Sequence, residues 1–230
     1  MFLILISCLL INVTQVFAYD ASTLINHVVN SIEKAESLSS KVTPEILSMP
    51  GYSSPRVRHF LNNICSLPNT KYMEIGVWQG STFVSALYDN HDNVSAAIAI
   101  DNWSEFAGPK EEFMYHTSKF LKKNVFNFFE IDSFAVSLNS IKNKINVYFY
   151  DGDHTFDAQK KAFTYLDSIF EDTFIAIVDD YNWDWVQNAT QEAFKELNYK
   201  VVYEKYLPSP NNGGQDSWWN GIYVAVIIKN

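Results

Sequence analysis

Tyr72-Met73-Glu74-Ile75-Gly76-Val77-Trp78-Gln79-Gly80-Ser81 is the stretch whose reading decides the fold. Its first four residues have the apolar, aromatic character of a short strand. Gly76 and Gly80 then mark a turn with the spacing Glu-X-Gly-X-X-X-Gly, and Thr82 to Tyr88 reads as a helix. Glycines at such a turn let the backbone bend sharply and come close to a ligand. Taken alone, the loop fits an ordinary tight strand-to-helix turn equally well.

Moving toward the carboxyl terminus, the same alternation repeats. Val94 to Ile100, Val125 to Ile131, Ile145 to Tyr150 and Phe174 to Val178 are apolar or β-branched runs of strand length. Helical runs follow them over Lys110 to Lys123, Ser133 to Ile141, Ala158 to Phe170 and Trp183 to Leu197. Lys200 to Tyr206 and Ile222 to Ile228 lack a helix between them and are expected to pair antiparallel. Strand–helix alternation predicts an α/β fold: a doubly wound, seven-stranded, mostly parallel sheet in three αβα layers, its last strand antiparallel.

Moving toward the amino terminus, Arg56 to Leu67 reads as a helix, and Pro44, Pro50, Gly51 and Pro55 break the chain before it. Tyr19 to Ser40 carries Leu24, Ile25, Val28, Val29 and Ile32 at helical spacing, with Ser22 as a candidate cap. Residues 1–18 contain no charged side chain and end Val16-Phe17-Ala18, a secretory signal pattern. An uncleaved anchor is the alternative, but the apolar run is short for the ~20 residues a span needs. No later run is long enough either. The expected organisation is a signal peptide at 1–18, a helical segment at 19–67 and the α/β domain at 68–230.

Composition fits this picture. Of the 230 residues, 47% are hydrophobic and 19% charged, which excludes a disordered chain. The net charge of -9 argues against binding a nucleic-acid backbone. Cleavage after Ala18 would leave Cys65 as the one cysteine, so no intrachain disulfide is expected. Asn93, Asn102 and Asn188 head Asn-X-Ser/Thr sequons, which a secretory route would expose to glycosylation.

Ligands of open parallel sheets bind beyond the carboxyl ends of the strands, so the residues there carry the functional reading. Asp101 follows the second strand, at a point where an acid can accept both hydroxyls of a ribose. Asp132-Ser133 follows the third, where Asp can take an adenine amino group or Asp-Ser can cap a helix. Asp151-Gly152-Asp153-His154 follows the fourth and Asp179-Asp180-Tyr181 the fifth. Four carboxylates and an imidazole on adjacent strand ends need a countercharge, which a divalent cation such as Mg²⁺ would supply. Helix capping by Asp153 and Asp180 is the other reading. Trp183, Trp185, Trp218 and Trp219 are expected near the late strand ends, as packing or as a face for a ring. Asp101–Lys110 and Asn211–Gly214 read as loops.

On these residues the chain resembles the class I S-adenosylmethionine-dependent methyltransferases, over about residues 50–230, and so implies their Rossmann-like fold. The two late acidic motifs are similar to those of metal-dependent sugar O-methyltransferases of the macrocin type. The resemblance implies S-adenosylmethionine as cofactor, held by Glu74, Gly76, Gly80, Ser81, Asp101, Asp132 and Ser133. It implies a divalent metal on Asp151, Asp179 and Asp180, with Asp153 as general base and His154 as an alternative base or ion-pair partner. The expected partner is a small-molecule hydroxyl acceptor such as a sugar, with no nucleic acid and no stable membrane insertion. An oligomer is left open. A nicotinamide-dependent dehydrogenase shares the βαβ start, but Gly76-Val77-Trp78-Gln79-Gly80 lacks its Gly-X-Gly-X-X-Gly. A non-enzymatic binding protein on the same fold is the remaining alternative.

Overall fold

The computed structural model describes residues 19–230, so the expected signal peptide lies outside the described residues. Seven strands form one sheet: β1 (Thr70–Ile75), β2 (Val94–Asp101), β3 (Asn127–Glu130), β4 (Ile145–Tyr150), β5 (Phe170–Val178), β6 (Lys200–Leu207) and β7 (Ile222–Ile228). Their spatial order is β3-β2-β1-β4-β5-β7-β6. The β1–β2, β1–β4, β2–β3 and β4–β5 pairs are parallel, and β7 runs antiparallel between β5 and β6. The predicted doubly wound α/β architecture is therefore present.

Side chains alternate across the sheet as a period of two requires. In β4, Val147 and Phe149 join one core while Tyr148 and Tyr150 join the other; in β5, Ile175 and Ile177 oppose Phe174, Ala176 and Val178. The first core lies under α1 (Ala21–Glu36), α3 (Pro55–Ile64), α4 (Ser81–Leu87) and α5 (Lys110–Phe120). The second lies under α6 (Phe156–Thr164) and α7 (Asp184–Glu196). α2 (Pro44–Leu47), a single turn that the sequence reading did not separate, buries Ile46 in a satellite cluster with Val84. Each fully buried aliphatic side chain contributes about 1.5–3 kcal/mol. Leu24 and Val28 of α1 are fully buried in the sheet's own core, which fixes the segment 19–67 to the domain.

Local differences from the expectation have local causes. The cap of α1 is Asp20, whose Oδ1 accepts from the Thr23 backbone N–H at 2.9 Å; Ser22 donates to Asp20 instead. The helix expected over Ser133 to Ile141 is only a 3₁₀ turn at Leu138–Ser140. There Asp132 Oδ1 accepts the Phe134 N–H at 2.7 Å, and the Ser140 hydroxyl donates to the Ser137 carbonyl oxygen. Such side-chain bonds compete with helix formation. The long helix expected over Ala158 to Phe170 ends at Thr164, and Phe170 already starts β5. Among the described residues no helix is long and apolar enough to cross a membrane.

Candidate active site

The strand order reverses direction of winding between β1 and β4, and a ligand crevice is expected there. The ladder continues one residue past three strands. Gly76 N–H donates to Ile100 O at 2.9 Å, Asp151 N–H to Ile75 O at 2.9 Å, and Asp179 N–H to Tyr150 O at 3.1 Å. The first residues beyond β1, β4 and β5 therefore stand side by side on the carboxyl edge. A cavity of about 520 Å³ opens over them, within the size of small-molecule sites.

One side of this cavity collects most of the predicted cofactor residues. Gly76, Ser81, Asp101, Asp132 and Ser133 all line it. Gly76 has φ +86°, and a Cβ there would lie 1.8 Å from the Asp151 carbonyl oxygen, so only glycine fits. Asp101 joins two loops: Oδ2 accepts the Trp78 N–H at 2.8 Å and Oδ1 the Trp103 N–H at 2.7 Å. Each oxygen keeps a lone pair for a ligand hydroxyl.

Glu74 and Gly80 do not line the cavity. Glu74 shares a sheet face with Tyr72 and lies fully buried beneath α4. Its carboxyl accepts from Tyr72 Oη and Thr82 Oγ1, both at 2.5 Å. Burial pushes its pKa up to about 7, against the lowering effect of those two bonds. Glu74 thus acts on the glycine turn from below, through Thr82. Gly80 supplies a left-handed turn at φ +85° ahead of α4, against the Phe113 ring.

The other side of the cavity holds the acidic cluster. His154 Nε2 lies 3.4 Å from Asp151 Oδ1 and 3.3 Å from Asp180 Oδ2. Asp180 Oδ1 also accepts from Asn220 Nδ2 at 2.6 Å. Asp179 is 3% exposed, and its Oδ1 has no hydrogen-bond partner. Burial holds the Asp151 carboxyl well above the usual range, with the Asp180 and Glu74 charges adding to the rise. Asp179 is raised by burial and by Asp151 and Asp180, with His154 opposing. Asp180 is raised by burial, opposed by His154 and the Asn220 bond. Asp153 stands apart: its oxygens accept the Thr155 N–H at 2.9 Å and the Thr155 hydroxyl at 3.2 Å, at the start of α6.

The three carboxylates predicted to hold a metal are thus brought together with the imidazole already between two of them. Among the described residues, no group of three or more His, Cys, Asp or Glu side chains is arranged to hold a metal ion. As arranged, the donor set does not fit a divalent cation, because a ring nitrogen already faces two of the three carboxylates.

Aromatic side chains form the rim. Tyr52 stacks on Trp78 with centroids 4.5 Å apart, and lies 5.7 Å from Phe106 and 6.5 Å from Trp219. The four tryptophans expected to cluster are divided. Trp183 and Trp219 reach the cavity, Trp183 stacking on Trp185 at 5.3 Å, and Trp218 packs in the core against Phe60. Sequence reading missed Tyr52, Phe106 and Asn220. Phe106 lies in the loop expected over Asp101–Lys110; Tyr52 and Asn220 carry no local signal, since they reach the cavity only through the tertiary fold.

Residues 73–181 match the family model described as a methyltransferase domain. Among curated proteins, none matches the chain in sequence. Solved structures share the fold. The O-methyltransferase TomG of Streptomyces achromogenes, in complex with S-adenosylmethionine, aligns with a TM-score of 0.56 at 10% identity, covering 94% of this chain and 93% of TomG. A Klebsiella pneumoniae protein assigned as an O-methyltransferase gives 0.51 at 11% identity, covering 94% and 92%. A Streptococcus mutans protein assigned as a methyltransferase gives 0.53 at 14% identity, covering 76% of this chain. The alignment spans only 48% of the streptococcal chain, about half its length.

Proposed function

The chain carries a methyltransferase domain over residues 73–181, on the fold of the class I S-adenosylmethionine-dependent enzymes, and we propose that it is an O-methyltransferase acting on a sugar or another small hydroxyl compound. One observation carries the reading. The cofactor-side residues Gly76, Asp101 and Asp132 and the carboxylates Asp151 and Asp179 line a single cavity. A methyl donor and a hydroxyl acceptor could therefore meet without crossing the protein.

S-adenosylmethionine would supply an electrophilic methyl group. Asp101 would accept ribose hydroxyls, Asp132 and Ser133 the adenine edge, and Gly76 would leave room for the chain between them. In the transfer an O–CH₃ bond forms, the S–CH₃ bond breaks, and the acceptor's hydroxyl proton leaves. A carboxyl whose pKa burial raises holds a proton more strongly than a free carboxylate once it has taken one. Asp151 meets that description and keeps contact with the cavity, its side chain 23% exposed. Asp153, expected from the resemblance as the base, is the more exposed alternative. His154 acts on the carboxylates: Nε2 faces them, and Nδ1 is buried without a partner. Holding both reactants in line would supply most of the rate.

A divalent cation is the finer part of the family resemblance; with His154 facing Asp151 and Asp180, the unpartnered Asp179 Oδ1 is the buried oxygen of the three carboxylates left open to it. The proton transfer just described runs through the chain's own carboxylates. The leader pattern and the exposed Asn188 on α7 support a secretory route. Asn102 lines the cavity, so a glycan there would obstruct the cofactor.

Calorimetry with S-adenosylmethionine, S-adenosylhomocysteine and NAD, followed by transfer of labelled methyl to phenol and sugar acceptors with Mg²⁺ or EDTA, tests the reading. Binding of the first two with transfer is expected. Binding of NAD alone would make the chain a dehydrogenase, and binding of none a non-catalytic protein. Loss of transfer in EDTA, restored by Mg²⁺, would add the metal.

A further inference from the structure

Resting on that methyltransferase reading, we propose that the acceptor is a hydroxylated ring compound without anionic groups, preferring a protonated amine, and that Tyr52, Trp78, Phe106 and Trp219 form its binding wall. Three independent features lead there.

The first is exposure. Tyr52 is 54% and Phe106 65% exposed, yet both are large apolar rings on the rim of a deep cavity. Scattered surface aromatics need no explanation, but rings grouped around a cavity mark a ligand-facing surface. In the Tyr52–Trp78 stack each ring covers one face of the other and leaves its outer face free, and Trp219 lies tilted 6.5 Å from Tyr52. Such a face receives a planar ring by stacking, or a cation by its negative π-surface.

The second is backbone strain. Trp78, Phe106 and Trp219 have φ of +41°, +50° and +57°. Bulky residues are uncommon in this left-handed region, where each costs about 1–2 kcal/mol relative to the right-handed one. Three of the four wall residues carry that cost, and strain of this kind concentrates at ligand clamps.

The third is charge. The cavity wall includes Asp101, Glu105, Asp132, Asp151, Asp153, Asp179 and Asp180, and no Lys or Arg. Its one basic side chain, His154, is engaged by two carboxylates. An acceptor bearing phosphate, carboxylate or sulfate would meet no cation and several like charges. The buried Asp179 Oδ1 lacks a partner and awaits a donor such as a hydroxyl or an ammonium group.

Matched pairs of probes test this. The protein is first titrated with S-adenosylhomocysteine, and absence of binding there would sink the methyltransferase reading itself. The loaded protein is then titrated with tyramine and 4-hydroxyphenylacetate, which share a phenol ring and differ in charge, and with methyl glucosaminide and methyl glucuronide. In at least one pair the cationic member should bind about tenfold more tightly or better, a difference of about 1.4 kcal/mol. Tyr52→Ala should weaken that binding about fivefold or more, and by a larger factor than it weakens S-adenosylhomocysteine binding. Normal S-adenosylhomocysteine binding with equal or reversed preference in both pairs, with no binding of either cationic member at millimolar concentration, or with no effect of Tyr52→Ala would overturn the proposal and leave the methyltransferase reading standing.

Discussion

The backbone N–H of Trp78 donates to Asp101 Oδ2 at 2.8 Å, which ties the glycine turn after β1 to the loop after β2. The other oxygen of Asp101 holds Trp103 at 2.7 Å. One carboxylate therefore sets the positions of two loops and offers its remaining lone pairs to the cavity. Asp101→Asn replaces one accepting oxygen with an NH₂ that must face an N–H. Hydrogen bonds to a charged acceptor contribute about 1.5–3 kcal/mol each. The variant should fold, and its S-adenosylhomocysteine affinity should fall by about tenfold or more, read by calorimetry.

Gly76→Ala tests the close approach of the two central strand ends. The added Cβ would lie 1.8 Å from Asp151 O and 2.5 Å from its carbonyl carbon, both backbone atoms that cannot rotate away. The φ of +86° adds its own cost for an alanine. Separation requires β1 and β4 to shift where Asp151 N–H bonds Ile75 O. A loss of about 3 kcal/mol or more in urea unfolding is expected, together with loss of cofactor binding.

Glu74 gives the pH dependence. Its folded pKa is raised to about 7 from 4.5, so folding favours the protonated carboxyl. The stability this group contributes is complete below about pH 4.5 and is lost as pH rises through about 7. The shift corresponds to about 3 kcal/mol between the two limits. Glu74→Gln keeps partners for the Tyr72 and Thr82 hydroxyls and removes the charge. It should flatten the wild-type fall in stability across this window and be the more stable protein at pH 8, measured by urea unfolding at a series of pH values. Equal slopes in both proteins would show that Glu74 does not titrate there.

The framework was legible because it rests on local periodicity. The apolar run Ile145–Tyr150 is a strand buried on both faces, Val147 and Phe149 in one core and Tyr148 and Tyr150 in the other, and Asp101, Asp132, Asp151 and Asp179 fall at strand ends because strand ends are marked by composition. What the sequence could not show depends on three-dimensional partners. Glu74 looks like a ligand residue until Tyr72 and Thr82 are seen to occupy it. Asp153, expected as a base, also accepts from Thr155 through both oxygens, a contact the sequence did not show. Tyr52 reaches Trp78 across 26 positions of sequence, a contact that only the fold creates.

His154→Ala separates the imidazole from the metal as the neutraliser of the acidic cluster. In the wild type Nε2 lies within 3.4 Å of both Asp151 and Asp180. Burial already raises both carboxyls, and the imidazole opposes the rise at Asp180 and Asp179. Removing it should raise these carboxyls further. Raised carboxyls stabilise the fold when protonated and cost stability as pH climbs through their folded pKa values. The variant should therefore lose little at pH 5 and about 1–3 kcal/mol at pH 8, the cost of leaving buried charged acceptors without a donor. With the ring gone, the three carboxylates face one another and a hard cation can take its place. Millimolar Mg²⁺ should then recover stability in the variant at pH 8 and leave the wild type unchanged. Equal stabilisation of both proteins would mean that the cation binds beside the imidazole, and the cluster would then be a metal site after all.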